Sequence, residues 1–226
     1  MTGVQTCALP ISRDEDLSGK ECYAGLDLAS TDDITALALF FPALPHPVLR
    51  LFFWVPEAKI KQKADRVDYR LWVQQGFITV TEGDVVDTDY LSKDIERIFH
   101  LYRVKNLTYD PWMATNGVIQ HLEKVGYYNI LDPIAQTITY LSEPTKDLQK
   151  RLQRRELDLM NNPVLRWMFR NVAIYTDPNL NIRLNKAKST EKIDGCAASV
   201  NAIAGYISKT ANTREAYAGG REIKVI

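Results

Sequence analysis

The sequence predicts an α/β domain built on one mixed sheet, an antiparallel meander followed by parallel strands, with helices on its flanks. Three observations carry that expectation. Apolar runs at 22–29, 34–42 and 47–55 are joined by short turns. Strand-like and helical segments then alternate, and the last part of the chain is mostly helical. With 226 residues, 46% hydrophobic and 25% charged, the chain can bury one sizeable core, which favours one domain over two.

Each element has its own signal. "CYAGLDLA" reads as a strand, "STDD" as a turn, "ITALALFFP" as a second strand and "PVLRLFFWV" as a third. "ADRVDYRLWVQQG" has helical spacing at Val67, Leu71 and Val73, with Gly76 as its C-cap. "FITVTEG" is a short strand. "DTDYLSKDIERIFHLYRV" opens on Asp/Thr capping chemistry and aligns Leu91, Ile95, Ile98 and Leu101 on one helical face. "KNLTYDPW" is a strand that Pro111 stops. "ATNGVIQHLEKVG" is a helix closed by Gly126, leading into a strand at "YYNIL". A basic helix is expected over 145–159, and a short one at "NPVLRWMFRN" with Pro163 in its first turn. "VAIYTD" and "NIRLN" form a hairpin across "PNL", and "EKIDGCAASVNAIAGYISK" is a helix of small residues that can pack closely on a sheet.

Charge is balanced overall, 28 basic against 28 acidic residues, but residues 1–142 hold 13 Lys/Arg against 19 Asp/Glu and residues 143–226 hold 15 against 9. An acidic part beside a basic part suits a protein that holds cations next to a polyanion, and it is equally compatible with ordinary surface scatter. Cys7, Cys22 and Cys196 form no CxxC pair, which points to a reducing compartment and away from a zinc site. No apolar run approaches the ~20 residues that span a membrane. "MTGVQTCALPI" lacks the basic start and small-residue cleavage site of a signal peptide. It back-translates into a common sequencing-library adapter with GTG read as the start codon. Met1 to Ile11 are therefore expected to be an assembly artefact, with the natural gene continuing upstream, the alternative being a disordered natural N-terminus; Ser12 to Glu21 are expected to be linker.

Three acids stand where apolar residues would be expected. Asp27 lies within the first strand, Asp110 at the C-terminal end of a later one, where open α/β sheets place ligands, and Asp194 at the start of the last helix. If they converge, they repel one another unless cations neutralise them, and oxygen-only ligand sets suit Mg²⁺ or Mn²⁺. Two such ions about 4 Å apart can activate water and stabilise the leaving oxygen of a phosphodiester. Each acid alone has a plainer reading: Asp194 as a first-turn acid, Asp110 as turn chemistry, Asp27 paired with a buried Arg or Ser. Asp32 and Asp33 are turn formers that could assist a second metal. His46, His100 and His121 show no metal spacing and are read as structural. Lys146, Lys150, Arg151, Arg154 and Arg155 line one stretch that is as readily a solvated face as a DNA contact. Arg183, Lys186, Lys188 and Lys192 lead into Asp194 and are the favoured contacts for a phosphate backbone.

"GLDLASTDDITALALFFP", "LTYDPWMATNGVIQHLEKVG", "NPVLRWMFRNVAIYTDPNLNIRLNKAKSTEKIDG" and "AASVNAIAGY" resemble the nuclease part of the large terminase subunit of tailed bacteriophages, in the same order, from about Cys22 to Tyr206. The motifs "GLDLAST", "YDPW" and "KSTEKIDG" are specific together rather than singly. The resemblance implies a ribonuclease H-like fold whose two Mg²⁺ or Mn²⁺ ions are held by Asp27, Asp110 and Asp194. It implies an endonuclease that cuts concatemeric double-stranded DNA during genome packaging in the cytoplasm of the infected bacterial host. In the full-length protein the implied partners are an ATPase domain, the small terminase subunit and the portal, with no membrane. The chain carries no GxxxxGK[ST] phosphate loop, so these 226 residues are expected neither to hydrolyse ATP nor to translocate DNA. The expected division is artefact and linker over 1–21, nuclease domain over 22–210 and a flexible tail over 211–226. The rival readings are a resolvase or ribonuclease H of the same fold, and a DNA- or portal-docking module with a degenerate metal site.

Overall fold

The computed structural model describes residues 16–28, 34–61, 67, 69–113 and 117–219. Strands β1 (Glu21–Asp27), β2 (Thr35–Phe41) and β3 (Val48–Pro56) form the expected antiparallel meander. β4 (Thr79–Thr81) joins β3 in parallel at one edge, while β5 (Arg103–Tyr109) and β6 (Leu131–Pro133) extend the other side in parallel. The spatial order is β4-β3-β2-β1-β5-β6, so β1 and β2 are central. Every residue of β2 is buried, as a strand covered on both faces requires.

Side-chain alternation divides the interior in two. Ala36, Ala38 and Phe40 of β2, with Leu49, Leu51, Phe53 and Val55 of β3, face α2 (Tyr69–Gln74), α6 (Pro163–Asn171) and α7 (Asp194–Gly219). Ala24, Leu26, Leu37, Leu39 and Leu107 face α3 (Thr88–Leu101) and α4 (Gly117–Leu122). Trp54, fully buried in β3, donates its indole N–H to Asp94 of α3 at 2.8 Å, fastening that helix to the sheet. α1 (Glu57–Lys61) follows β3, and α5 (Ile138–Gln153) packs beside α7. A hairpin of β7 (Ile174–Thr176) and β8 (Ile182–Leu184) is docked on α5 where the Ile182 amide donates to Ser142 Oγ at 3.1 Å.

Caps explain the boundaries that the sequence marked well. Asp87 Oδ1 accepts from the Asp89 and Tyr90 amides at the start of α3, and Asn162 Oδ1 accepts from the Leu165 amide above Pro163 in α6. Elsewhere the structure corrects the expectations. Leu101, the last residue of α3, is 45% exposed; Phe99 and Tyr102 are buried instead, because at ~100° per residue Leu101 falls off the edge of the stripe that Leu91, Ile95 and Ile98 define. Leu71 is likewise exposed, and Tyr69 and Trp72 are the inward pair, packed with Trp167. The strand expected at 127–131 is a 3₁₀ turn at Tyr128–Ile130 followed by the short β6, since Gly126, at φ +99°, reverses the chain there.

The helix expected over 145–159 begins at Ile138 and ends at Gln153. Pro144 lies inside it, leaving the Tyr140 carbonyl without an i+4 amide, and Arg155 at φ +56° leads the chain away. The residues from Arg154 to Leu159 are not helical: Asp158 exchanges backbone hydrogen bonds with Pro47 and Leu49 at the start of β3. The last helix runs on to Gly219, ten residues past Lys209. Leu17, within the stretch expected to be linker, is buried at 2% exposure, and the Gly19 amide donates to the Leu101 carbonyl. Among the described residues no helix is long and apolar enough to cross a membrane.

Candidate active site

β1 and β5 run parallel, and their ladder ends with Gly25 beside Thr108. Two residues further along each chain stand Asp27 and Asp110, both at the carboxyl end of the sheet. Parity sets their direction: Tyr23, whose ring meets Tyr206 of α7 at 5.2 Å, and Gly25 face α7, so Asp27 does too. Asn106 and Thr108 also face α7, against Gly205, and Asp110 continues that series. α7 lies directly on β1, because a Cβ on Gly25 would overlap the Ala198 carbonyl oxygen and the Ala202 amide nitrogen. Its first residue, Asp194, is 5% exposed and stands at the positive end of the helix dipole.

Lys186 joins two of the three acids. Its Nζ donates to Asp27 Oδ2 at 2.7 Å and to Asp194 Oδ1 at 3.0 Å. Desolvation works against this ammonium, but the Asp27 and then the Asp194 carboxylate outweigh it and hold its pKa above the ordinary lysine range. The residue sits in a 3₁₀ turn, Lys186–Lys188, that follows β8, where Asn185 Oδ1 accepts from the Lys188 amide at 3.2 Å. Beside it opens a cavity of about 270 Å³ lined by Asp27, Asp110, Arg183, Lys186, Gln136 and Asn201, among others.

The structure thus brings Asp27 and Asp194 together through Lys186 and sets Asp110 on the same cavity, where its Oδ1 accepts from the Trp112 amide at 3.0 Å. Among the described residues no three His, Cys, Asp or Glu side chains converge closely enough to hold a metal ion in this arrangement. The donor set nevertheless fits a hard divalent cation: it is all carboxylate oxygen, and two of its members already share one cation. Asp32 and Asp33 lie outside the described residues.

Of the basic residues, Arg183 is exposed on the cavity wall with its guanidinium 5.7 Å from the Tyr175 ring, and Lys188 is exposed on the turn. Lys192 is half-buried. Arg151 pairs with Asp147 at 2.6 Å and lies over Phe40, so in the earlier stretch it serves packing. His121 and His100 both meet Glu96 on the surface of α3, at 2.8 and 3.7 Å, away from the acids. Burial pushes the Cys22 thiol up to about 12; it raises Cys196 as well, with the Asp194 charge adding to it, so neither thiol is set up as a nucleophile.

Sequence reasoning missed two neighbours. Asn201, 2% exposed in the middle of α7, donates from Nδ2 to the Leu26 carbonyl at 3.0 Å. Gln136 Nε2 reaches Asn201 Oδ1 at 3.4 Å and the Ile134 carbonyl at 3.1 Å. Together they fix the end of β1 next to Asp27. A lone Asn among Val200, Ala202 and Ile203 was the available signal, since a buried amide needs a partner.

Comparison with known proteins identifies the family. Residues 4–209 match the family described as "Terminase large subunit, endonuclease domain". The chain is 27% identical over 197 residues to the terminase large subunit of Enterobacteria phage HK97, covering 84% of this chain and 39% of that protein. It is 26% identical over 204 residues to protein YmfN of Escherichia coli K12, covering 84% and 44%. The chain therefore spans about two fifths of the length of these relatives. The crystal structure of the HK97 large terminase superposes with a TM-score of 0.77 at 26% identity, over 83% of this chain and 40% of that one. The large terminase nuclease of the thermophilic phage G20c, solved with bound magnesium, superposes with a TM-score of 0.54 at 11% identity, over 86% and 90%. The mixed sheet is thus of the ribonuclease H-like class that the resemblance implied.

Proposed function

We propose, since this chain belongs to the family of terminase large subunit endonuclease domains, that it hydrolyses phosphodiester bonds of double-stranded DNA with divalent metal ions. In the whole protein this would cut concatemeric phage DNA during packaging in the infected host's cytoplasm, alongside an ATPase domain, a small terminase subunit and the portal. The observation that carries the reading is the cation shared by Asp27 and Asp194 beside the cavity that holds Asp110.

Asp27, Asp110 and Asp194 would hold two Mg²⁺ or Mn²⁺ ions, which when bound supply Lewis-acid activation of water and charge compensation at the scissile phosphate. The chain's own groups do the rest. The sheet and α7 fix Asp27 and Asp194 on rigid elements, and Asn201 keeps β1 from shifting. Arg183, exposed on the cavity wall, presents a planar fork to the non-bridging phosphate oxygens, and Lys188 adds positive charge along the backbone's path. Water activated at this site would attack the phosphorus in line, with no covalent intermediate.

The test is supercoiled plasmid incubated with the purified protein. Nicked and linear forms are expected with Mn²⁺ or Mg²⁺ and none with excess EDTA. Nicking that persists undiminished in EDTA would contradict metal dependence. Cleavage confined to branched DNA or hybrids would replace the substrate assignment with that of a resolvase or ribonuclease H.

A further inference from the structure

We infer that Lys186 is a resident counter-cation of the acidic site, occupying the place between Asp27 and Asp194 until a divalent ion displaces it toward the DNA phosphates. This rests on the metal-dependent reading above and adds how the site is regulated. The geometry separates Lys186 from its neighbours. Lys188, two residues on, is exposed on the same turn, and Arg183 stands on the cavity wall, whereas the Lys186 ammonium contacts both carboxylates at 2.7 and 3.0 Å. The side chain is nevertheless 56% exposed, so it can swing out without unpacking the core.

Competition follows from charge and space. A bound Mg²⁺ sits about 2.1 Å from its carboxylate oxygens. An ammonium in contact with those same oxygens would lie against the ion and repel it, so both cannot be held there at once. While the ammonium stays, it relieves the repulsion between Asp27 and Asp194 that would otherwise strain the site. Once released, Lys186 lies beside Arg183 on the cavity wall, where a phosphate gives it a new partner. Metal and DNA are then expected to favour each other's binding, because each removes a reason for Lys186 to stay on the acids.

The experiment is calorimetric titration of Mn²⁺ into the DNA-free protein, comparing wild type with Lys186→Met. Removing two partly exposed ion pairs is expected to tighten Mn²⁺ binding about tenfold. Equal or weaker binding by Lys186→Met with a native circular-dichroism spectrum would overturn the inference and leave the metal reading standing. Absence of binding by both proteins would overturn both. If Lys186→Met does not fold, Lys186→Gln, which keeps a polar group of shorter reach, takes its place: tighter Mn²⁺ binding supports the inference, and equal or weaker binding overturns it.

Discussion

Asp27→Asn is expected to abolish Mg²⁺- or Mn²⁺-dependent nicking of plasmid while the protein still unfolds as wild type does. The substitution keeps the shape of the side chain, and its amide oxygen still accepts a hydrogen bond from Lys186, so β1 stays paired with β2 and β5. What is lost is one negative charge and one hard oxygen ligand. Removing partners that only support metal ligands typically costs 10–100-fold, so loss of a ligand itself should exceed about 100-fold. Stability should change little, since an ion pair exposed to this degree contributes only a fraction of a kcal/mol to about 1 kcal/mol. Nicking rates measured beside urea denaturation separate the two effects. Full retained activity in a folded variant would remove Asp27 from the site.

Gly25→Ala should have the largest effect on stability of any glycine-to-alanine change among the described residues. The methyl would overlap the backbone of α7 at Ala198 and Ala202, and backbone cannot rotate away as a side chain would. Helix and strand must separate instead, breaking the contacts of the layer that α7 closes over the sheet. Overpacking commonly costs 1–3 kcal/mol, and a rigid clash at the centre of the sheet is expected at or above about 3 kcal/mol. Activity should fall in parallel, because shifting α7 carries Asp194 away from Asp27. A lowered urea midpoint with unchanged m-value is the expected signature. A midpoint equal to that of wild type would show that α7 does not lie on β1 as described.

The meander was legible because three apolar runs with short turns admit few other arrangements. Asp27 was legible because a carboxylate inside such a run demands compensation. Its compensation was read only in part: the sequence suggested cations in general, while the structure supplies Lys186, carried back to β1 by the β7–β8 hairpin. In sequence Lys186 is one basic residue among several, and its destination depends on tertiary closure. Pro144 hid the start of α5, since a proline near a helical stretch is normally read as its beginning or end. Leu101 lies three residues after Ile98 but at the edge of the α3 stripe, and Tyr102, one residue on, takes the inward position. Asn201 was overlooked because the small residues around it describe packing well enough by themselves.

Whether the three acids act as one metal centre is decided by a crystal structure grown with Mn²⁺ and phased on its anomalous signal. Anomalous peaks are expected in contact with the carboxylates of Asp27, Asp110 and Asp194, with the Lys186 ammonium moved off Asp27 and Asp194. Saturating Mn²⁺ with no peak at these carboxylates, and Lys186 still bridging two of them, would contradict a shared metal centre.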